Sequence, residues 1–168
     1  MTGFSRNEEA RLAALRGLDI LDSEADPAFD AIVREAAEAL GTPVALVSLV
    51  DANRQWFKAK FGIDESETPR SVSFCSHAIG SDGPMVVPDA RDDRRFADNP
   101  LVTGDPNIRF YAGMPLTTPS GWRIGTLCVI DDKPREGLSG DEAATLGALA
   151  DRVMALIAER EKGTASRR

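Results

Sequence analysis

The sequence predicts an α+β domain built around an antiparallel sheet of five to six strands. Two apolar runs, residues 109–116 and 122–130, flank the turn 118–121 (T-P-S-G). This pattern predicts a β-hairpin, because Pro presets its own φ and Gly tolerates positive φ. The second run is apolar on both faces, which is typical of a strand covered on both sides. Helical patterns stand apart from the strands, at the two ends of the chain, and this segregation indicates the α+β class.

Alternation along the second run divides its side chains between the two faces of the sheet. Four residues are expected on one face and two on the other: Ile124, Thr126, Cys128 and Ile130, against Leu127 and Val129.

Two helices are predicted before the first strand. The first covers residues 7–17, with a capping box from Ser5 to Glu8 and Asn7 as a competing cap. The second begins at Asp26-Pro27, where Asp caps the helix and Pro takes its first position. Its apolar residues recur at helical spacing, and Gly41 and Pro43 follow it. These residues are Phe29, Ile32, Val33, Ala36, Ala37 and Leu40.

The middle of the chain predicts strands and short elements. Residues 44–50 form a buried strand, and after a turn residues 54–61 form a second strand near an edge, since Lys58 and Lys60 give it a wet face. Residues 71–80 predict a short helix. A short strand at 85–87 precedes a long polar loop over 88–107, and loops of this length are often functional.

The last helix is predicted from a capping box at Ser139–Glu142. An apolar stripe follows it: Leu146, Leu149, Val153, Leu156 and Ile157. Lys162 and Gly163 are expected to end the helix, and residues 163–168 are expected to be a disordered tail.

Length and charge bound the class of protein. A chain of 168 residues predicts one domain, with a core over about residues 8–159. The net charge of −7 and the pI near 4.8 argue against a nucleic-acid partner, which requires a basic surface. No signal peptide or membrane-length apolar run is found. We therefore expect a cytoplasmic protein that makes no membrane contact and whose two cysteines are free thiols.

Several motifs in order give the chain a family resemblance. They are L-D-I-L-D at 18–22, V-A-L-V-S-L-V-D at 44–51, R-Q-W-F-K at 54–58, S-F-C-S-H-A-I at 73–79, V-P-D-A-R at 87–91, R-F-A-D-N-P-L-V at 95–102, R-F-Y-A-G-M-P-L at 109–116 and G-T-L-C-V-I-D at 125–131. With these motifs the chain resembles a bacterial GAF domain of the sensory type, which occurs with histidine kinases and diguanylate cyclases or alone. The resemblance implies terminal helices on one face of the sheet. On the other face, short helices and loops would enclose a small-molecule pocket.

The resemblance also indicates which residues line that pocket. Seven are candidates: Phe74, Cys75, His77, Phe96, Arg109, Tyr111 and Cys128. Arg109 could clamp an anionic ligand, and the alternative is a salt bridge to Asp89 or Asp98.

Cys75 and His77 also suggest a nucleophile and a base. On a helix, residues two apart point about 200° apart, so the two side chains could not hydrogen-bond each other. A buried cysteine and a histidine in the pocket wall are therefore the favoured interpretation. Bilin attachment requires a Cys followed directly by His, and here Ser76 intervenes. Neither haem nor a metal is supported by the motifs, since no metal-ligand spacing is found.

These observations predict a sensory or regulatory domain that is not an enzyme. It would bind an unidentified small molecule and signal through its terminal helices as a homodimer, to a histidine kinase or cyclase acting in trans. Two alternatives remain open. One is an enzyme with a reactive thiol at Cys75, of redox or sulfoxide-reductase type, and the other is a dimerisation module with a vestigial pocket.

Overall fold

The computed structural model describes residues 3–80 and 83–166, with side chains over 7–80 and 83–160. Five α-helices and six strands are formed in these ranges. In chain order they are α1 (Gly3–Gly17), α2 (Pro27–Leu40), β1 (Val44–Val50), β2 (Arg54–Phe61), β3 (Glu67–Pro69), α3 (Cys75–Ala78), β4 (Met85–Val87), α4 (Pro100–Thr103), β5 (Phe110–Thr117), β6 (Arg123–Asp131) and α5 (Gly140–Ser166).

The six strands form one sheet in the order β3-β2-β1-β6-β5-β4, and every neighbouring pair is antiparallel. The predicted hairpin is the pair β5 and β6. Strands β1 and β6 lie side by side at the centre, as expected of the two segments that are apolar on both faces. The predicted α+β class with a central antiparallel sheet is confirmed.

Helices α1, α2 and α5 cover one face of the sheet and bury a helix-side core against it. Helix α2 forms as its sequence predicts. The Asp26 carboxylate accepts a hydrogen bond from the Ala28 N–H at 2.9 Å, and Gly41 ends the helix at φ +67°. The capping box of α5 is also present, since Ser139 and Glu142 exchange hydrogen bonds of 2.9 and 3.1 Å.

The second face is covered by α3, α4 and the loops between them. A separate hydrophobic cluster fills this side, and it includes Phe57, Phe74, Phe96, Val102 and Tyr111. Helix α4 has a side-chain cap. The Asn99 side chain accepts from the Leu101 N–H at 2.9 Å to start α4, and it donates to the Val72 carbonyl at 3.0 Å, which ties the loop to the segment before α3.

Two helices are longer than predicted. Helix α1 begins at Gly3, so Ser5 lies inside it and the predicted capping box at Ser5–Glu8 is wrong. Helix α5 continues through Gly163 to Ser166, where the sequence analysis predicts an end and a disordered tail. A single Gly costs a helix only about 1 kcal/mol, and no Pro follows it. The last two residues of that predicted tail lie outside the described residues.

The segment predicted as one helix over 71–80 is divided in two. A 3₁₀ turn covers Arg70–Val72 and α3 begins at Cys75. The interruption is at Ser73, whose backbone is extended and whose hydroxyl accepts from the Ser76 N–H at 3.1 Å. The Ser73 hydroxyl also donates to Gln55 at 2.7 Å, so a contact with β2 decides where the helix begins.

One of the two lysines of β2 is buried, although both were expected to face solvent. Lys58 is buried, and its ammonium group donates to the Ser23 hydroxyl at 2.9 Å and the Glu24 carbonyl at 2.5 Å. The partners lie in the connection between α1 and α2, which is remote in sequence. The expectation of a wet face at Lys58 is therefore wrong, whereas Lys60 is exposed as predicted.

A bulge in β6 corrects the predicted division of its side chains. Leu116 pairs with Gly125 and Thr117 with Arg123, so Ile124 is the extra residue. The alternation slips by one position there, and Ile124 joins Leu127 and Val129 in the helix-side core. Cys128 lies on the other side of the sheet as expected. Within the described ranges, no helix is long and apolar enough to cross a membrane.

Candidate functional site

A cavity of about 360 Å³ lies between the second face of the sheet and the segments that cover it. Its floor is made of buried residues from β1, β2, β5, β6 and α3, and its mouth of exposed residues at strand ends and in the loop before β5. The lining residues are Pro43, Val44, Leu46, Gln55, Phe57, Ile63, Glu65, Thr68, Phe74, Cys75, Leu101, Asp105, Pro106, Ile108, Tyr111, Cys128, Ile130 and Asp132. A mostly apolar recess with a few polar groups is typical of small-molecule sites.

Gln55 provides the polar part of one wall. Its side-chain oxygen accepts from the Ser48 and Ser73 hydroxyls at 3.1 and 2.7 Å, and its side-chain nitrogen donates to the Thr68 hydroxyl at 2.6 Å. These contacts leave one N–H of the amide group, and one lone pair and the O–H of Thr68, for a ligand in the cavity.

Cys75 lies at the base of the cavity among hydroxyl and thiol groups. Its Sγ atom is 3.1 Å from Thr126 Oγ1 and 3.2 Å from the Tyr111 hydroxyl. The neighbouring Cys128 thiol is the main cause that lowers the pKa of Cys75, and its effect exceeds that of burial. The same pairing, together with burial, raises the pKa of Cys128. The arrangement favours one thiolate and one thiol.

Four of the seven predicted pocket residues line the cavity: Phe74, Cys75, Tyr111 and Cys128. Phe96 lies one layer behind, where its ring stacks on Phe74 at 4.0 Å with an interplanar angle of 5°. His77 is exposed, and its ring meets the Phe96 ring edge-on, with the two ring centroids 5.0 Å apart. It therefore lies outside the cavity and points away from Cys75. The predicted opposition of residues 75 and 77 on a helix therefore holds.

Arg109 also lies outside the cavity lining. Its guanidinium donates to the carbonyl oxygens of Val102 at 2.8 Å and of Ile108 at 3.1 Å. These contacts hold the end of α4 against the start of β5. The role that the structure gives it is to position the loop, whereas an anion clamp or a salt bridge to Asp89 or Asp98 was expected.

Sequence patterns did not predict the lining residues that come from β1 and β2, or the three carboxylates at the mouth. Gln55 carried a usable signal, because a glutamine inside a buried strand needs polar partners. The carboxylates of Glu65, Asp105 and Asp132 gave no such sequence signal, because each lies in a loop or just past the end of a strand, where acidic residues are common. No lining residue is Lys, Arg or His, so the potential inside the cavity is unfavourable for an anion.

Metal ligation finds little support in this geometry. Across residues 3–80 and 83–166, no group of three or more His, Cys, Asp and Glu side chains could hold a metal ion. Cys75 and Cys128 are brought together, but His77 is not.

One sequence relative matches most of the chain. A protein of Pseudomonas aeruginosa named cyclic di-GMP phosphodiesterase is 46% identical over 154 residues, which is 92% of this chain and 26% of that protein. The chain thus spans about a quarter of the length of this relative.

Solved structures share the fold at low identity. The GAF domain of a phosphoenolpyruvate-protein phosphotransferase from Coxiella burnetii has a TM-score of 0.68 at 16% identity, covering 95% of this chain and 98% of that one. A type II free methionine-R-sulfoxide reductase from Thermoplasma acidophilum has a TM-score of 0.62 at 16% identity, covering 91% and 96%.

These findings correct the expectation that the protein is not an enzyme. The relative at 46% identity is named as a phosphodiesterase, and proteins with this fold include sulfoxide reductases. That expectation came from the lack of a recognised catalytic motif in the sequence, and neither a motif search nor a fold decides activity.

The family itself is settled by the sequence match and by the architecture together. Residues 24–157 match the family described as GAF domain. The six-stranded antiparallel sheet, with three helices on one face and a cavity under short helices on the other, agrees with the solved GAF domains. The resemblance that the motifs indicate is confirmed, and the chain belongs to the GAF domain family.

Proposed function

We propose that this chain is the small-molecule-binding regulatory domain of a cyclic di-GMP phosphodiesterase. The cavity carries the first half of the proposal, because it combines an apolar floor with a few polar groups beneath a narrow set of loops. The relative named for that activity supports the second half. Since the chain spans about a quarter of that relative, the phosphodiesterase activity is assigned to the larger assembly in which this domain acts.

The cavity is not a site for cyclic di-GMP itself in this proposal. A cyclic dinucleotide carries two phosphodiester charges, and binding them requires cations or a helix N-terminus aimed at the phosphate. The lining has three carboxylates and no basic side chain. Its volume of about 360 Å³ is near the low end of ordinary ligand sites, which span roughly 300–1,000 Å³. A small neutral or cationic molecule with an apolar body fits these properties.

Binding would be communicated through the sheet. Neighbouring residues of β6 face opposite sides, with Cys128 at the cavity and Leu127 and Val129 in the core under α1, α2 and α5. A ligand that shifts the strand by a fraction of an ångström therefore displaces the contacts of the terminal helices. We propose that these helices pair in a homodimer and pass the displacement to the phosphodiesterase, in place of the histidine kinase or diguanylate cyclase that the resemblance suggested.

Blocking the cavity tests the ligand-binding half. Val44 lines the cavity and is half-buried, so Val44→Phe projects a ring into the space without disturbing the packed core. Val86→Phe is the matched control, because Val86 is also a half-buried strand valine but lies outside the lining. The chain and both variants are screened against metabolites by thermal shift, and hits are measured by calorimetry. The proposal requires a compound that stabilises the wild type and Val86→Phe and binds Val44→Phe at least tenfold more weakly.

The link to cyclic di-GMP is tested in cells. The two substitutions are placed in the native gene and the nucleotide is quantified by mass spectrometry. Val44→Phe is expected to change the cyclic di-GMP level, and Val86→Phe to leave it at the wild-type value. Equal levels in all three strains would contradict the regulatory half, even if a ligand for the cavity is found.

A further inference from the structure

Two thiols from distant parts of the chain meet at the base of the cavity. Cys75 begins α3 and Cys128 lies in the middle of β6, next to the central strand β1. Cys75 is 3% exposed and Cys128 is 0% exposed, and both residues border the cavity. A buried cysteine is usually a small hydrophobic side chain. Here two cysteines border the same cavity, and close packing of the core does not require a cavity beside them.

The two sulfur atoms are chemically unequal. Thr126, Tyr111 and Cys128 surround Cys75 with groups able to donate hydrogen bonds to a thiolate, with sulfur–oxygen distances of 3.1 and 3.2 Å to the two hydroxyls. Thiolate, not thiol, is the attacking species in sulfur chemistry. Cys128 stays protonated beside it, and so the pair holds a nucleophile and a second thiol that can resolve its oxidised form.

We propose that Cys75 and Cys128 form a two-thiol redox site that a small hydroperoxide entering the cavity converts to a disulfide. This inference goes beyond the proposed function and does not depend on it. The histidine is not involved, since His77 lies on the outer side of α3 against Phe96.

The chemistry balances in two steps. The Cys75 thiolate attacks the outer oxygen of the hydroperoxide, so that an S–O bond forms, the O–O bond breaks, and the alcohol leaves after taking a proton. The Cys128 sulfur then attacks Cys75 sulfenic acid. An S–S bond forms, the S–O bond breaks, and the hydroxide leaves as water with the Cys128 proton. Both thiols are oxidised, and one hydroperoxide is reduced to an alcohol and water.

The Cys75–Cys128 disulfide would link α3 covalently to the centre of the sheet. Cys128 is paired with Leu46 across β1 and with Gly113 across β5, so the new bond would be anchored at the most buried part of the fold. The disulfide would also replace two polarisable groups of the cavity wall by one covalent bridge, which alters the shape that any ligand meets.

The test uses the whole reduced chain and a stoichiometric amount of hydrogen peroxide or tert-butyl hydroperoxide. Intact-mass spectrometry is expected to show the loss of two hydrogen atoms, and non-reducing peptide mapping to show Cys75 linked to Cys128, reversed by dithiothreitol. Cys128→Ser is expected to stop at a sulfenic acid on Cys75 that dimedone traps, and Cys75→Ser not to react. Thr126→Val, which removes one hydroxyl beside Cys75, is expected to slow the wild-type reaction by roughly threefold to tenfold.

Three results would overturn the proposal. They are an unchanged mass although the same hydroperoxide oxidises glutathione in a parallel solution, sulfinic acid on Cys75 without a cross-link, and a disulfide between two chains on a non-reducing gel. The wild-type map decides the question by itself if a serine variant does not fold. Since no metabolite is present, none of these outcomes bears on whether the cavity binds a regulatory ligand.

Discussion

Arg135 joins the end of α2 to the end of β6, and Arg135→Met is expected to lower the free energy of unfolding by about 3 kcal/mol. Its guanidinium donates to the carbonyl oxygens of Leu40 at 2.6 Å and Gly41 at 2.7 Å, which end α2. It also donates to the Asp131 carboxylate at 3.1 and 2.6 Å. Methionine keeps the apolar stem and removes every one of these bonds.

The magnitude follows from the kinds of bond and their exposure. A hydrogen bond to a charged donor contributes about 1.5–3 kcal/mol when buried, and both carbonyls belong to the unsatisfied end of a helix. The Arg135 side chain is 27% exposed, so water recovers part of the loss and the low end of that range applies. The ion pair with Asp131 adds only a fraction of a kcal/mol to about 1 kcal/mol, as for other partly exposed pairs.

Urea unfolding at pH 7 measures the effect, with Arg91→Met as the matched control. Arg91 also pairs in a two-bond contact, with Asp89 at 3.0 and 2.6 Å, but it is 54% exposed and joins no separate elements. We expect the control to change the free energy of unfolding by less than about 0.5 kcal/mol. Equal losses in the two variants would refute the reasoning that Arg135 acts by tying α2 to β6.

Three further predictions concern other elements. Gly113→Ala is expected to cost about 1–3 kcal/mol, because a Cβ there would overlap the phenol of Tyr111, and wild-type unfolding in urea would contradict this. Gly41→Ala is expected to cost about 1 kcal/mol at its φ of +67°, with Gly41→Asn in between, and thermal melts that rank them otherwise would be inconsistent with the αL cap. The hydrogen bond from Arg11 holds the pKa of Glu8 at about 2 against 4.5 for the free group, so its stabilisation is complete above pH 4.5 and is lost as the pH falls towards 2. The melting temperature of Glu8→Gln should therefore lie below that of the wild type at pH 7 and meet it near pH 2.

Local patterns predicted the fold well. Helix α2 follows from a cap, a proline and six apolar positions, all within residues 26–41, and it forms as predicted. The division at Ser73 was missed because the interruption depends on a hydrogen bond from Ser73 to Gln55 on another strand. The bulge at Ile124 likewise depends on the register between β5 and β6, and this register cannot be predicted from the sequence of either strand alone.

The site was predictable only in part, because a cavity is a relation between distant segments. The motif around residues 73–79 pointed to Phe74 and Cys75, and the hairpin motifs to Tyr111 and Cys128, all of which reach the lining. The same motifs do not reveal which side chains stand one layer back, as Phe96 does, or outside, as His77 does. Nor does the sequence bring Cys75 next to Cys128, since only the packing of α3 on the sheet does so.

The sheet has a dry layer on each side, and the two layers share no residue. A substitution in the core under α1, α2 and α5 affects folding, whereas a substitution beneath α3 and α4 affects both folding and the shape of the cavity. One fold of this kind can therefore accept different ligands through changes in the cavity lining, while the core under its three long helices stays the same.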